Sequence, residues 1–102
     1  MARLTPFLFL QLFCLFSTHA QVNGVVMDTG GEPLPFATVY VQGTTMGTTT
    51  NLQGEYFLDL DTGSYELIFQ YVGFRQHLEK VTVAQKNIRL DVTLEKESIQ
   101  LP

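Results

Sequence analysis

One cysteine, two histidines, three serines and six basic residues are all that 102 residues hold of the side chains that most often do chemistry or bind nucleic acid. Cys14 lies within the first twenty residues. Beyond them there is no thiol, which excludes a disulfide staple and thiol catalysis. A small exported domain without disulfides must rely on its sheets and core, a habit of bacterial export more than of animal secreted modules. The first twenty residues hold one base, Arg3, and none of the ten acids, so five basic and ten acidic side chains remain, net −5. Phosphate binding needs a concentrated basic face, and nucleic acid is therefore not a partner. His77 is the one histidine after residue 20, too few for a histidine-based zinc site, and no metal or cofactor is expected. Serines 17, 64 and 98 have no base placed to complete a triad.

Long apolar runs are also missing. The longest, residues 7–16, would span about 15 Å as a helix, against a hydrocarbon core of about 30 Å. It follows a short cationic start at Arg3 and precedes a small-residue exit, Ser17-Thr-His-Ala20, the three-part order of a secretory signal peptide. Residues 1–20 therefore read as a leader cleaved between Ala20 and Gln21. Bulky Phe13 before Cys14 disfavours lipidation at that cysteine. Residues 21–96 read as one domain and 97–102 as a tail or the start of a linker to a missing domain. At this size a single core is marginal and suits a module better than an enzyme with a deep pocket.

What is present is strand chemistry. Turn residues punctuate the chain every eight to twelve positions, and the intervals are rich in Val, Thr, Tyr, Phe and Ile. Strands are expected near 22–28, 37–42, 47–50, 55–60, 64–72, 75–83 and 87–95. Period two puts Tyr65, Leu67, Phe69 and Tyr71 on one face, and Ile88, Leu90, Val92 and Leu94 on another. Tyr56, Leu58 and Leu60, and Ala37, Val39 and Val41, complete four inward sets, enough for two packed sheets. Ile68 and Val72 make the Tyr65 strand apolar on both faces, hence central. Asp28 to Pro35 is a Gly- and Pro-bearing loop, residues 51–54 form a turn, and residues 61–63 are short enough for a tight hairpin.

Gly24-Val-Val-Met-Asp28, Pro33-Leu-Pro-Phe-Ala-Thr-Val-Tyr-Val, Gly43-Thr-Thr-Met-Gly-Thr-Thr-Thr-Asn-Leu-Gln-Gly-Glu-Tyr56 and Tyr71-Val-Gly-Phe74 follow in an order and spacing that resembles the carboxypeptidase regulatory-like domain. The resemblance implies an all-β, seven-stranded transthyretin-like (prealbumin-like) sandwich. The family positions carried over are Gly24, Asp28, Pro33, Leu34, Ala37, Val39, Gly43, Thr44, Gly47, Thr48, Thr50, Asn51, Gly54, Tyr56, Gly73 and Phe74, all with structural roles. Phe36 stands where the family often has glycine. In arrangement the chain also looks like the leader module of TonB-dependent outer-membrane receptors. That implies a protein partner or adjoining receptor domain, an exported chain in the periplasm or at the outer membrane, and membrane association only through a missing or partner domain.

Other candidates are weaker. Asp59 and Asp61 open like a calcium loop, but Ser64 and Gln70 occupy the positions that need glycine and glutamate. The pairs Asp59/Asp61 and Glu95/Glu97 fall on turn or tail, where solvated charge is the default. Tyr40, Tyr56, Tyr65, Tyr71, Phe57, Phe69 and Phe74 could form a carbohydrate platform, although aromatics on alternating strands are more often core. The sequence thus favours a non-catalytic interaction module. A free-standing peptide- or carbohydrate-binding sandwich and a regulatory appendage of a carboxypeptidase are the alternatives.

Overall fold

A computed structural model describes residues 19–98, which hold eight strands and no helix. They are β1 His19–Asp28, β2 Thr38–Val41, β3 Gly47–Thr49, β4 Glu55–Asp61, β5 Gly63–Gln70, β6 His77–Val83, β7 Ile88–Arg89 and β8 Val92–Leu94. The first sheet is built around β1, with β4 antiparallel on one side and β7 and β8 parallel on the other. The second runs β3-β2-β5-β6, antiparallel throughout. The pair forms the expected all-β sandwich, mixed in one layer.

Alternation explains why these segments pack as they do. In β4, Tyr56, Leu58 and Leu60 are buried while the residues between them are exposed. Val22 and Val26 from β1, Val39 and Val41 from β2, Leu67 and Phe69 from β5, and Val92 and Leu94 from β8 join them in one core. Tyr56 and Phe69 meet across the two layers edge to face, with ring centroids 5.5 Å apart. Ile88 and Leu90 pack against the margin of the core, on the face that periodicity assigned to them.

Several local expectations change. The single strand expected at 87–95 is two strands, because its ladder to β1 is interrupted at Leu90 and Asp91. There the Leu90 carbonyl takes the Tyr56 hydroxyl at 2.6 Å, and the Val25 amide turns to Asp91 Oδ1 at 2.9 Å. Register is kept across the break, Val22 facing Ile88 and Val26 facing Val92. Residues 61–63 are not a hairpin: β4 belongs to the first sheet and β5 to the second, so this turn carries the chain between layers. The Tyr65 strand is central as expected, β5 lying between β2 and β6, but Val72 is not part of it. β5 ends at Gln70, the turn closed by Phe74 N–H on the Tyr71 carbonyl bends the chain away, and Val72 is 92% exposed. The outward apolar residue of β5 is Ile68, set in register between Tyr40 and Leu78.

The leader proper, residues 1–18, lies outside the described residues. β1 starts three residues before the strand expected from sequence, with Ala20 buried and facing Leu60, so the Ala20–Gln21 junction falls inside a paired strand. At the other end, Arg75 N–H bonds the Glu95 carbonyl and Glu97 N–H the Gly73 carbonyl, tying residues 95–97 to 73–75.

Leu67 is fully buried whereas Glu66 points to the outer face of the second sheet. Leu67→Ala should cost about 2–5 kcal/mol and Glu66→Ala little. Denaturant melts of the two variants check this, and equal effects would mean the faces are reversed.

Candidate functional site

The segment from Gly43 to Tyr56 is built almost wholly of backbone geometry. Gly43 takes φ +80° as the chain leaves β2, and Thr44 closes the turn, donating its hydroxyl to the Val41 carbonyl at 2.9 Å while accepting Met46 N–H at 3.0 Å. Gly47 lies flat against Tyr40, where a Cβ would come within 2.7 Å of the Tyr40 Cβ. Thr48 is half-buried opposite Val39. Asn51 Oδ1 accepts Gln53 N–H at 3.0 Å and Glu55 N–H at 2.9 Å, and its amide donates to Glu55 Oε1, a side-chain copy of a backbone turn. Gly54, φ +76°, passes so close to Val26 that a Cβ would lie 2.7 Å from its carbonyl oxygen.

Thr50 is the one buried polar side chain among the described residues. Its hydroxyl donates to the Leu34 carbonyl at 2.6 Å and accepts the Ala37 amide at 2.8 Å, which pins the loop between β1 and β2. Phe36 sits between those anchors with φ +63°, the left-handed conformation that glycine adopts freely and phenylalanine rarely does. Its ring is 66% exposed. With Thr38, Gln70, Tyr71, Phe74 and Gln76 it lines an open cleft of about 440 Å³. Sequence reasoning marked position 36 as a departure from glycine but not as a surface feature. The glycine preference itself was the signal for its backbone conformation.

The remaining family positions fall around this frame. Asp28 Oδ1 accepts Gly30 and Glu32 amides at 2.8 and 2.9 Å, shaping the loop that returns Pro33 beside Met27. Leu34, Ala37 and Val39 are core. Gly73 turns at φ +85°, and Phe74 meets Tyr71 edge to face at 5.4 Å. Gly24, on β1, lies against the segment between β7 and β8: a Cβ there would collide with the Leu90 carbonyl oxygen. Of the proposed platform aromatics, Tyr56 and Phe69 are core, Phe57 is exposed on β4, and only Tyr71 and Phe74 reach the cleft.

The titratable groups do not converge. Asp59 and Asp61 lie exposed on β4, part of a strand rather than a loop, and among the described residues no three His, Cys, Asp or Glu side chains gather where they could hold a metal ion. His77 bonds Glu79 at 2.8 Å on β6, and Arg89 bonds Asp91 at 3.1 Å. Glu95 and Glu97 are exposed. Tyr56 is the clearly perturbed group. Burial, reinforced by the carboxylates of Asp91 and Glu79 and opposed by Arg89, pushes its phenol well above the ordinary value of 10.0.

A family profile described as CarboxypepD_reg-like domain matches residues 22–102. The chain belongs to this family. Among curated relatives, the TonB-dependent receptor P26 of Formosa agariphila is 36% identical over 87 residues, 85% of this chain and 8% of that protein. The TonB-dependent receptor SusC of Bacteroides thetaiotaomicron is 37% identical over 75 residues, covering 74% and 7%. Carboxypeptidase Z of Rattus norvegicus is 34% identical over 65 residues, covering 64% and 10%. This CarboxypepD_reg-like chain therefore spans a tenth or less of these relatives. Among solved structures, a type II cohesin–X-dockerin complex from Acetivibrio cellulolyticus matches with a TM-score of 0.61 at 16% identity, over 74% of this chain and 56% of that one. The 3-chlorocatechol 1,2-dioxygenase of Rhodococcus opacus matches with a TM-score of 0.61 at 10% identity, over 80% and 61%. At such identities the likeness is one of fold.

Tyr56 makes stability sensitive to alkali. Its proton is held more tightly in the folded chain, so its contribution is complete below the unfolded value of 10.0 and is lost as pH rises above it. Tyr56→Phe should cost about 1–2 kcal/mol near neutrality, by removing the bond to Leu90, and should flatten the decline in stability above pH 10. Urea melts across that range check both effects.

Proposed function

We propose that the chain is a non-catalytic interaction module of a TonB-dependent outer-membrane receptor system, exported from the cytoplasm and working by contact with a neighbouring domain or protein. The observation that carries this reading is its identity with receptors more than ten times its own matched length, 36% and 37% over most of this chain. A sandwich that makes up 7–8% of such a protein is a part, and a part whose signature residues are spent on turns, close approaches and two buried hydroxyls acts through shape. The similarity to carboxypeptidase Z favours a second reading, a regulatory appendage of a peptidase, over a smaller share of the chain.

Export and inertness are tested together. The protein is produced in a bacterium with a C-terminal tag, fractionated and weighed, then incubated with peptide and ester substrates with and without zinc. The expected result is an envelope-associated protein beginning at Gln21, with no turnover and no change in melting on chelation. Metal-dependent hydrolysis that copurifies with the protein would overturn the non-catalytic reading, and a cytoplasmic chain with Met1 intact would overturn export.

A further inference from the structure

We propose that folding closes the bond between Ala20 and Gln21, so that the leader is removed before β1 pairs with β4 and a chain that folds first keeps its leader. This rests on the export reading above and adds an order of events to it. β1 begins at His19, so no spacer separates the junction from the sheet. His19, Ala20 and Gln21 face Asp61, Leu60 and Asp59 of β4. Ala20 belongs to the core, and Leu60 opposite it is buried as well.

The peptide bond itself is engaged on both sides. Gln21 N–H donates to Asn87 Oδ1 at 2.9 Å, and Asn23 C=O accepts Leu90 N–H at 2.7 Å. The backbone groups of Gln21 and Asn23 thus point toward β7 and β8, and alternation turns the Ala20 carbonyl toward β4. Hydrolysis adds water across this bond: a nucleophile attacks the Ala20 carbonyl carbon, the C–N bond breaks, and the products are a carboxylate at Ala20 and an ammonium at Gln21. A peptidase also has to place donors on the carbonyl oxygen. In the folded chain that oxygen faces β4 and the core covers the Ala20 side chain, so cutting requires the end of β1 to fray. Strand order leaves time for the cut. β1 has no partner close in sequence: β4 starts at Glu55, β7 at Ile88 and β8 at Val92. A chain exported from its N-terminus presents the junction before any of these has followed, whereas a hairpin partner would shut it early.

The test uses the full chain folded in mild detergent, with protection of the Leu60 amide as the sign that β1 is paired. A bacterial leader peptidase is the probe, and cleavage is followed by mass. In one variant a short Gly-Ser spacer between Gln21 and Val22 moves the junction off the sheet. In another, Gly24→Val drives a side chain against the Leu90 carbonyl and keeps β1 from seating. The natural chain, once folded, should be cut about tenfold or more slowly than either variant, because cutting tracks the frayed population. A folded natural chain cut as fast as the spacer variant overturns the proposal. If both variants also stay uncut at this bond, the leader reading fails and the inference falls with it, leaving the non-catalytic reading standing.

Discussion

Among the described residues, strand β1 is the only strand paired with β4, β7 and β8, so the first sheet is assembled on one strand. No hairpin helps it: each partner arrives from a distant part of the chain, and the closing entropy must be recovered from packing. The tightest point is Gly24. Only a residue without Cβ lets the Leu90 carbonyl lie against β1, and that approach places Leu90 N–H on the Asn23 carbonyl at 2.7 Å and its oxygen on the Tyr56 hydroxyl. β4 and the β7–β8 segment are thus cross-linked over the strand they share.

The second sheet depends on the first through the loop between β1 and β2. Thr50, at the end of β3, fixes that loop with two short hydrogen bonds, and in doing so holds Phe36 in its left-handed conformation with its ring in solvent. Such a conformation persists only where the surroundings over-determine it. The signature segment therefore does two jobs: it turns the chain between the layers through Asn51 and Gly54, and it leaves exposed the cleft at Phe36 and the uncharged strand β3. Neither job needs a reactive group.

Much of this was legible in the residues themselves. Strict alternation at Tyr56, Leu58 and Leu60 and at Leu67 and Phe69 identified inward faces, because a strand buried on one side has no other way to distribute its side chains. Glycines 43 and 54 and Asn51 announced turns through their own conformational chemistry. Pairing was less accessible. Residues 61–63 have the length of a hairpin, and nothing local distinguishes a turn within a sheet from one that changes layers, since the choice is made by which distant strand pairs with β4. The split at Leu90 and Asp91 was hidden for the same reason: it arises from Tyr56 and Val25, 34 and 66 positions away. Val72 misled because apolar character on a strand's outer face was extended beyond Gln70 into the Tyr71–Phe74 turn.

Amide hydrogen exchange gives the most direct test of a fold centred on β1. The Val26 amide, bonded to the Gly54 carbonyl, and the Leu90 amide, bonded to the Asn23 carbonyl, should exchange only through global unfolding, with protection equal to the free energy measured in denaturant. Faster exchange at Val26 and Leu90 than in the middle of β5, by several orders of magnitude, would mean that the first sheet opens independently and that β1 is not what holds the molecule together.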